Sequence, residues 1–418
     1  MEAVLAPNES YLEMTFTKET ATGRGLNNRL TMERLDSGLF QVTEGRIGIT
    51  IGVHKPKVYT LPMEEWHDYY AKKITMGYTL FATEKTEAKK VVKNIASLNG
   101  IQFKPLEDKG VQNIIQRLIG FTNQLMEQQY TVKVENISDS MIERGRDILD
   151  DLALNYKDMS VAEFNNKLKV LFAVIPRRID NLGKKLAKRN VDFQDIVANE
   201  QELFDVMVSQ IKNLEIEKNN NNKTILEGYN LEWREVTPDE ESWIRRKMGC
   251  EGSRYVRAWR ITNKTTEDRF DAFCKKEGLT DKHGIERLFH GSRSENFWSI
   301  ITTGLTINPT GVVITGKMFG NGTYFAPDAC KSMGYTDRTG SRWANGSSST
   351  GFLGIYKVAV GNPASPQSAG SYTWQGLKKG GYHSVWCKRG GKIGLRMDEV
   401  VVYQDCQDTI EYLIEVGM

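Results

Sequence analysis

The apolar residues of this chain change their spacing twice along its 418 residues, and that change limits the folds open to it. From about residue 104 to 217 they recur at intervals of three and four, which is typical of amphipathic helices. Before and after this stretch, short β-branched and aromatic runs lie between Gly-rich turns, which is typical of strands. The sequence therefore predicts a helical segment between two β-rich segments.

The first segment, residues 1–98, is predicted to be a small β module. Strand-like runs lie at 11–16, 38–42 and 45–52, and helix-prone polar runs follow at 64–73 and near 84–97. An Asn-rich run at 217–223 lacks apolar anchors and indicates a linker. Beyond it, residues 226–418 predict a mixed β domain with a few short helices.

The middle segment is predicted to be an α-helical bundle. Its clearest pattern consists of Val111, Ile114, Ile115, Leu118, Phe121 and Leu125. Similar patterns cover residues 138–153, 161–174, 192–197 and 199–214. Ile175-Pro176 and Asn181-Leu182-Gly183 interrupt them, because proline cannot continue a helix and glycine weakens one. We interpret the apolar faces as the bundle's own core.

Composition is that of a globular protein of two or three domains, with 39% hydrophobic and 26% charged residues. No run approaches the roughly 18 apolar residues of a membrane span, and the start has no signal-peptide pattern, so we expect an intracellular protein that binds no membrane. The five cysteines show no zinc-type spacing, so we expect no metal and no disulfide framework. The net charge of +3 restricts any nucleic-acid binding to a local patch.

Three short segments in the last third of the chain concentrate polar residues suited to ligand chemistry. The first is His290-Gly291-Ser292, at the end of a predicted strand. A glycine at such a corner leaves backbone N–H and C=O groups open to a flat ligand amide. Taken alone, the segment also fits a buried histidine followed by a turn.

The second segment, residues 318–326, is a Gly-rich turn that runs into a strand carrying Tyr324. After it, Pro327-Asp328 is predicted to begin a helix with Ser332 and Tyr335 three residues apart on one face. Two tyrosine rings of this kind can stack on a planar cation. Taken alone, the segment also fits an ordinary hairpin with half-buried tyrosines.

The third segment places Glu399 at the entrance of a β run. A lone carboxylate there is usually a solvated edge charge, but the order and surroundings of all three segments favour another interpretation. Residues 286–335 and 397–416 resemble the catalytic domain of the DNA-dependent poly(ADP-ribose) polymerases, whose His…Tyr…Glu motif is matched by His290, Tyr324 and Glu399.

The resemblance extends over nearly the whole chain. The helical segment is similar to that family's regulatory helical domain, and the N-terminal module resembles its WGR domain, which binds broken DNA. Gly45 and Arg46 match the WGR motif, but Glu44 stands where tryptophan is expected. The resemblance implies that Arg46, with Lys55 and Lys57 on the adjoining turn, contacts DNA phosphates.

The resemblance also implies a role for each residue of the catalytic segments, with NAD⁺ as co-substrate and no metal. Gly291 through its backbone and Ser332 through its hydroxyl would bind the nicotinamide carboxamide, while Tyr324 and Tyr335 would stack on the ring. Tyr324 and His290 would thus serve both in cofactor binding and in catalysis.

On the other side of the cleavable bond, His290 and Ser292 would hold the adenosine-side ribose. Glu399 would bind the 2′-OH of the nicotinamide ribose, polarise the acceptor and stabilise the positive charge that develops as nicotinamide leaves. Lys331 matches a family lysine near the acceptor side. The chain departs from the family at Thr306, where an arginine often serves the adenine.

The fold class implied is multidomain α+β. It consists of a small β-rich WGR-like domain (1–98), an all-α helical regulatory bundle (104–217) and a mixed ADP-ribosyltransferase domain (226–418) with two packed antiparallel sheets. A bundle with no chemistry of its own, placed before a nucleotide pocket, suggests autoinhibition.

The function implied is DNA-damage-activated transfer of ADP-ribose from NAD⁺ to protein side chains, including its own, with elongation to poly(ADP-ribose) in DNA-repair signalling. The alternatives are mono-ADP-ribosylation, or a DNA-end-binding scaffold with a silent transferase domain; Glu399 favours the polymer. We expect a monomer that acts in the nucleus of a eukaryote, or in the cytoplasm or nucleoid of a bacterium.

Overall fold

The computed structural model describes residues 6–19, 25–46, 56–82, 103–131, 137–179, 182–218, 223–307, 318–336 and 350–417. The chain divides into two compact units, one comprising Met1–Gly100 and Met126–Phe204, the other Ile101–Leu125 and Asp205–Met418. Both units take residues from the predicted helical segment, 104–217. The assignment of that segment as a regulatory domain stays a prediction.

The first unit contains a five-stranded antiparallel sheet in the order β4-β3-β2-β1-β5. Its strands are β1 (Tyr11–Glu19), β2 (Gly25–Arg34), β3 (Leu39–Arg46), β4 (Lys57–Pro62) and β5 (Thr79–Ala82). Helix α1 (Trp66–Thr75) supplies the fully buried Trp66. Leu12 and Met14, two residues apart on β1, belong to the same core as Trp66, because alternate strand residues face one side. The helix-prone run near 84–97 lies outside the described residues.

Four long helices follow: α2 (Lys109–Gln129), α3 (Asp139–Asn155), α4 (Val161–Val174) and α5 (Phe193–Lys218). Side chains of Ser138 and Ser160 cap the starts of α3 and α4. Helix α4 ends one residue before Ile175-Pro176, as proline requires. The two patterns predicted at 192–197 and 199–214 form one continuous helix, because neither proline nor glycine separates them. Among the described helices, none is long and apolar enough to cross a membrane.

The second unit continues with short helices and two sheets. Its helices are α6 (Ile225–Gly228), α7 (Pro238–Lys247), α8 (Lys264–Glu277), α9 (Ser294–Thr303), α10 (Ala329–Met333) and α11 (Trp374–Lys379). Its strands are β6 (Leu231–Glu235), β7 (Tyr255–Asn263), β8 (Ile285–Gly291), β9 (Thr323–Phe325), β10 (Thr350–Ala359), β11 (Pro363–Ala364), β12 (Ser384–Cys387), β13 (Glu399–Val402) and β14 (Asp408–Gly417).

One sheet has the order β6-β7-β14-β10-β8 and is antiparallel throughout. The other has the order β11-β12-β13-β9, and its β11–β12 pair is parallel. The prediction of two antiparallel sheets is therefore confirmed except at this edge, where the short strand β11 pairs in parallel. Helix α11 lies between β11 and β12 in the chain and provides the crossover that a parallel pair needs.

The start of α2 belongs to the core of the second unit. Val111, Ile114, Ile115 and Leu118 are buried in one cluster with residues of α9 and both sheets. Polar contacts fix the same helix, since the Arg117 guanidinium lies 2.8 Å from Oε1 of Glu415 and the Thr122 hydroxyl donates a 2.8 Å bond to the Glu295 carbonyl. The apolar face of α2 is thus covered, over this stretch, by the mixed β unit.

Candidate active site

Three strand ends converge where the two sheets of the second unit meet. Backbone bonds of 2.8 and 2.9 Å join Phe289 on β8 to Ala326, just after β9. Strand β9 in turn pairs with β13, with Tyr324 opposite Val401. Because β13 begins at Glu399, the topology brings together the strand ends that carry His290, Tyr324 and Glu399. The first sheet thereby contributes one residue of the predicted motif and the second contributes two.

His290 is oriented by the strand opposite it. Its Nδ1 lies 2.9 Å from the carbonyl oxygen of Tyr324, and because a carbonyl can only accept, Nδ1 carries the proton in this bond. The imidazole also lies 5.7 Å from the ring of Phe325 and 5.9 Å from that of Tyr356, centre to centre. Packing and hydrogen bonding thus set both the tilt and the tautomer of the ring.

Gly291 lies directly against the backbone of α10. A Cβ atom on this residue would fall 1.9 Å from the carbonyl oxygen of Ser332, so no other residue fits without moving the helix. The Ser332 side chain is 4% exposed, and its hydroxyl donates a 3.2 Å bond to the Phe289 carbonyl. A hydroxyl that donates one bond keeps lone pairs for an amide N–H. The predicted pairing of Gly291 and Ser332 around a carboxamide is therefore chemically consistent.

Tyr324 is held from its own turn. Its hydroxyl donates a 2.9 Å bond to the Gly320 carbonyl and accepts a 3.0 Å bond from the Phe319 amide. Burial raises the pKa of the Tyr324 phenol, and the charges of Glu399 and Tyr335 raise it further. At neutral pH the phenol therefore stays protonated. Gly320 and Gly322 of the turn are both required, since a Cβ on Gly320 would lie 2.9 Å from the Tyr372 backbone and one on Gly322 would lie 2.5 Å from the Val402 carbonyl oxygen.

The helix after this turn is shorter than predicted. Helix α10 ends at Met333, because Gly334 follows and forms its C-cap, so Tyr335 lies beyond the helix. Ser332 is buried whereas Tyr335 is 63% exposed, and the two side chains do not share a helix face. An exposed ring is still available to stack on a ligand, so the predicted role of Tyr335 stays a prediction.

Glu399 forms the shortest ion pair of the site. Its Oε1 lies 2.6 Å from Nζ of Lys331, and both side chains are largely buried, at 12% and 16% exposure. Lys331 Nζ also lies 3.4 Å from the Asp398 carbonyl oxygen. Since Lys331 is on α10 and Glu399 begins β13, the pair ties the helix to the strand. A carboxylate fixed in this way can stabilise positive charge that develops beside it.

Ser292 completes the predicted set, and Thr306 is the position at which the chain departs from the family. The Ser292 hydroxyl accepts a 2.9 Å bond from the side-chain amide of Asn296 on α9, which orients it. Thr306 is exposed, in the segment after α9. The structure places Ser292 directly after Gly291, and the predicted ribose contact stays a prediction.

Some supporting residues were missed by sequence reasoning. The Tyr403 hydroxyl donates a 2.6 Å bond to the Phe319 carbonyl, so it anchors the turn that holds Tyr324. Trp386 Nε1 donates a 2.9 Å bond to the Asp398 carboxylate, which also accepts from the Arg389 amide and so fixes the entrance of β13. For Asp398 the sequence did offer a signal, because this residue lies next to Glu399. Tyr403 and Phe319 lie 84 positions apart in the chain, so spacing gives no signal for Tyr403.

The predicted DNA contacts lie in the first unit. The Arg46 backbone ends β3, its side chain is not among those described, and Lys55 lies outside the described residues. Lys57 is exposed at the start of β4. Glu44 faces inward, where Lys73 Nζ lies 3.1 Å from both carboxylate oxygens and the Tyr78 hydroxyl donates a 2.7 Å bond. Burial opposes the charge of Glu44, but these two partners lower the pKa of its carboxyl.

The chain is similar in sequence to known proteins over most of the segment that carries this site. A family model described as "Poly(ADP-ribose) polymerase catalytic domain" matches residues 244–392, which include every predicted site residue of the second unit except Glu399, just beyond the match. The "Putative poly [ADP-ribose] polymerase-like 100L" of Invertebrate iridescent virus 6 is 33% identical over 144 residues, covering 31% of this chain and 69% of that protein.

Two further relatives show how the similarity is distributed. "Uncharacterized protein 101L" of the same virus is 27% identical over 201 residues, which is 48% of this chain and 79% of that protein. "Poly [ADP-ribose] polymerase 2" of Homo sapiens is 41% identical over 81 residues, which is 19% of this chain and 13% of that protein. The chain thus spans most of the two viral relatives and a small part of the human one.

Proposed function

This chain belongs to the poly(ADP-ribose) polymerase family and is an NAD⁺ ADP-ribosyltransferase, and we propose that it is activated by broken DNA, modifies protein side chains including its own, and extends the product to poly(ADP-ribose). The proposal covers the acceptor, the DNA response and the elongation. Its alternatives are a mono-ADP-ribosyltransferase and a silent scaffold.

The observation that carries the proposal is the Lys331–Glu399 pair beside the strands of His290 and Tyr324. In the reaction, the glycosidic bond between the ribose and the nicotinamide nitrogen breaks, and nicotinamide leaves with the electron pair. The ribose carbon becomes oxocarbenium-like, and the carboxylate of Glu399, held in place by Lys331, stabilises that charge.

Elongation makes a further demand on Glu399. The acceptor in each later cycle is a ribose hydroxyl, which is a weaker nucleophile than a carboxylate side chain. The Glu399 carboxylate would accept a hydrogen bond from that hydroxyl and take up its proton as the new bond to the ribose carbon forms. A single transfer to a carboxylate acceptor involves no such proton, so loss of Glu399 should affect polymer length more than NAD⁺ binding.

The test uses the full chain, labelled NAD⁺, and a nicked duplex that is present or absent. Wild-type protein should release nicotinamide faster with DNA and form a ladder of long products. Glu399→Gln should bind NAD⁺ with similar affinity yet give no ladder, whereas the matched control Glu286→Gln, exposed on β8, should behave as wild type. Long polymer from Glu399→Gln would sink the role assignment. Single-unit products from wild type would favour the mono-ADP-ribosyltransferase. Absence of turnover would favour the silent scaffold.

A further inference from the structure

Helix α10 contributes one residue to a second group of side chains, which the proposed reaction does not use. The thiols of Cys250 and Cys330 and the carboxylate of Glu251 have ligand atoms that all lie within 4.8 Å of one another. Cys250 and Glu251 belong to a 3-10 turn, Gly249–Arg254, and Cys330 is the second residue of α10. We propose that these three residues form a binding site for one Zn²⁺ ion.

The donor set suits zinc. Zn²⁺ binds Cys thiolate and carboxylate oxygen in tetrahedral geometry, and sites with three protein ligands leave a fourth position for water. With bonds of about 2.3 Å, two sulfurs on one tetrahedral zinc lie about 3.8 Å apart. The ligand atoms, which lie within 4.8 Å of one another, therefore need to approach by only about 1 Å to reach this spacing. Cys250 is exposed and can make that adjustment by rotating its side chain.

Neighbouring groups support the carboxylate and balance the charge. Arg254 Nε lies 3.0 Å from Oε2 of Glu251, and both side chains are less than one-third exposed. Two thiolates and one carboxylate exceed the charge of Zn²⁺ by one unit, which the guanidinium of Arg254 offsets. An outer partner that orients a ligating carboxylate is a regular feature of protein metal sites.

The turn that carries two of the ligands is held rigidly. A Cβ on Gly252 would lie 2.6 Å from the Arg245 carbonyl oxygen, so the turn packs closely on the end of α7. On the other side, Asp328 caps α10 through a 2.9 Å bond from the Cys330 amide. The three ligands are therefore presented by two fixed backbone segments rather than by loose loops.

The site has a direct connection to the candidate active site. Lys331 and Ser332 follow Cys330 on α10, and Gly291 lies against the same helix. A zinc ion bound to Cys330 and to the turn would fasten α10 to a second element. Zinc binding is thus expected to stabilise the second unit.

Reduced, chelator-treated full-length protein should be titrated with Zn²⁺ by calorimetry, and with Co²⁺ by absorption, which reports thiolate coordination as a charge-transfer band. Wild type should bind one equivalent and show the band. Cys250→Ser and Cys330→Ser should each weaken binding by more than the about 10–100-fold that loss of an outer partner costs. The matched control is Cys406→Ser, a partly exposed thiol outside the cluster, which should bind as wild type.

Three results would overturn the proposal. They are no binding by folded, reduced wild type, equal binding by wild type and the Cys250→Ser, Cys330→Ser double variant, or loss of binding in Cys406→Ser. Cys250 is exposed, so Cys250→Ser is expected to fold, and circular dichroism confirms that loss of binding is not loss of structure. A rise in Tm on zinc addition, seen in wild type and absent in Cys250→Ser, gives an independent readout.

Discussion

Lys331 and Glu399, on a five-residue helix and at the first position of a strand, form a 2.6 Å ion pair that is largely shielded from water. Shielding matters because an exposed pair of this kind contributes little, whereas a desolvated charge-assisted bond is stronger and directional. The ion pair therefore fixes the position of the Glu399 carboxylate, which carries the negative charge. It also makes the position of Glu399 depend on α10.

Replacing Lys331 should consequently impair catalysis by misplacing Glu399. A hydrogen bond to a charged group contributes about 1.5–3 kcal/mol, so Lys331→Met should lower kcat about tenfold or more. Lys331→Arg keeps the charge and should retain part of the rate. Initial rates of nicotinamide release at saturating NAD⁺ measure the effect, with Lys379→Met, an exposed lysine on α11, as control. Equal rates for wild type and Lys331→Met would show that the pair only supports the fold.

Gly291→Ala should remove binding of a nicotinamide mimic. The added Cβ would lie 1.9 Å from the Ser332 carbonyl oxygen, so α10 must move away and the predicted carboxamide site opens. A matched control is Gly120→Ala on α2, where a Cβ has open space and alanine should stabilise the helix by about 1 kcal/mol. Calorimetry with benzamide-type ligands checks this. Wild-type affinity in a folded Gly291→Ala protein would contradict the assignment.

Glu240 predicts an acid-sensitive contribution to stability. The Arg234 guanidinium donates bonds of 2.7 and 2.8 Å to its carboxylate, and these bonds, with the Thr237 amide, lower its pKa from 4.5 to about 2. A carboxyl with a lowered pKa stabilises the fold above its unfolded pKa and loses that contribution as pH falls toward the folded pKa. The relevant window is therefore pH 4.5 to 2.

The full shift of about 2.5 pH units corresponds to about 3 kcal/mol, but Arg234 is half exposed and solvent screening reduces this to about 1–2 kcal/mol. Urea denaturation should show Glu240→Gln less stable than wild type by that amount at pH 7, with the gap narrowing at pH 3. The exposed Glu286→Gln serves as control. A gap that is constant from pH 7 to 3 would exclude this origin.

The placement of the motif residues on or at strands was predictable from the sequence because strand ends and glycine turns are local features. Gly291 and Glu399 were assigned to strand ends and Tyr324 to a strand after a Gly-rich turn, and the structure places them in this way on β8, β13 and β9. The end of α4 before Ile175-Pro176 was predictable for the same reason. Proline and glycine act within one or two residues of their position.

The environment of each apolar face was not predictable. The periodicity of Val111, Ile114 and Leu118 marks an apolar stripe on α2 but does not specify what it packs against. In the structure it belongs to the same core as Trp298 and Leu413. Glu44 gives a similar case, since its inward ion pair with Lys73 joins residues on a strand and a separate helix. The absence of tryptophan at that position was visible in the sequence, but the neutralising partner was not.

Because the start of α2 belongs to the core of the catalytic unit, autoinhibition should be tested with a deletion that spares it. Deleting residues 104–216 would remove Val111, Ile114 and Leu118 from the core of the catalytic unit, and each buried large-to-small change costs about 2–5 kcal/mol. Deleting residues 126–204, with a short Gly-Ser linker, leaves that unit whole. We expect the shorter deletion to be active without DNA. A folded but inactive product would argue against a gate, and the 104–216 deletion should aggregate.

Arg46 is expected to set the salt dependence of DNA binding. We expect the first unit to bind DNA only through a few placed cations, and Arg46 lies at the end of β3. The neighbouring Glu44 is already neutralised by Lys73, so the Glu44 carboxylate repels phosphate less than its formal charge implies. Removing one phosphate contact lowers the slope of log affinity against log salt by about 1. Arg46→Ala should therefore weaken binding of a nicked duplex and DNA-stimulated activity, while sparing the basal rate of the full chain. Fluorescence titrations at several salt concentrations decide it, with Arg34→Ala, an exposed arginine at the end of β2, as control. Equal slopes and affinities for wild type and Arg46→Ala would remove this residue from the interface.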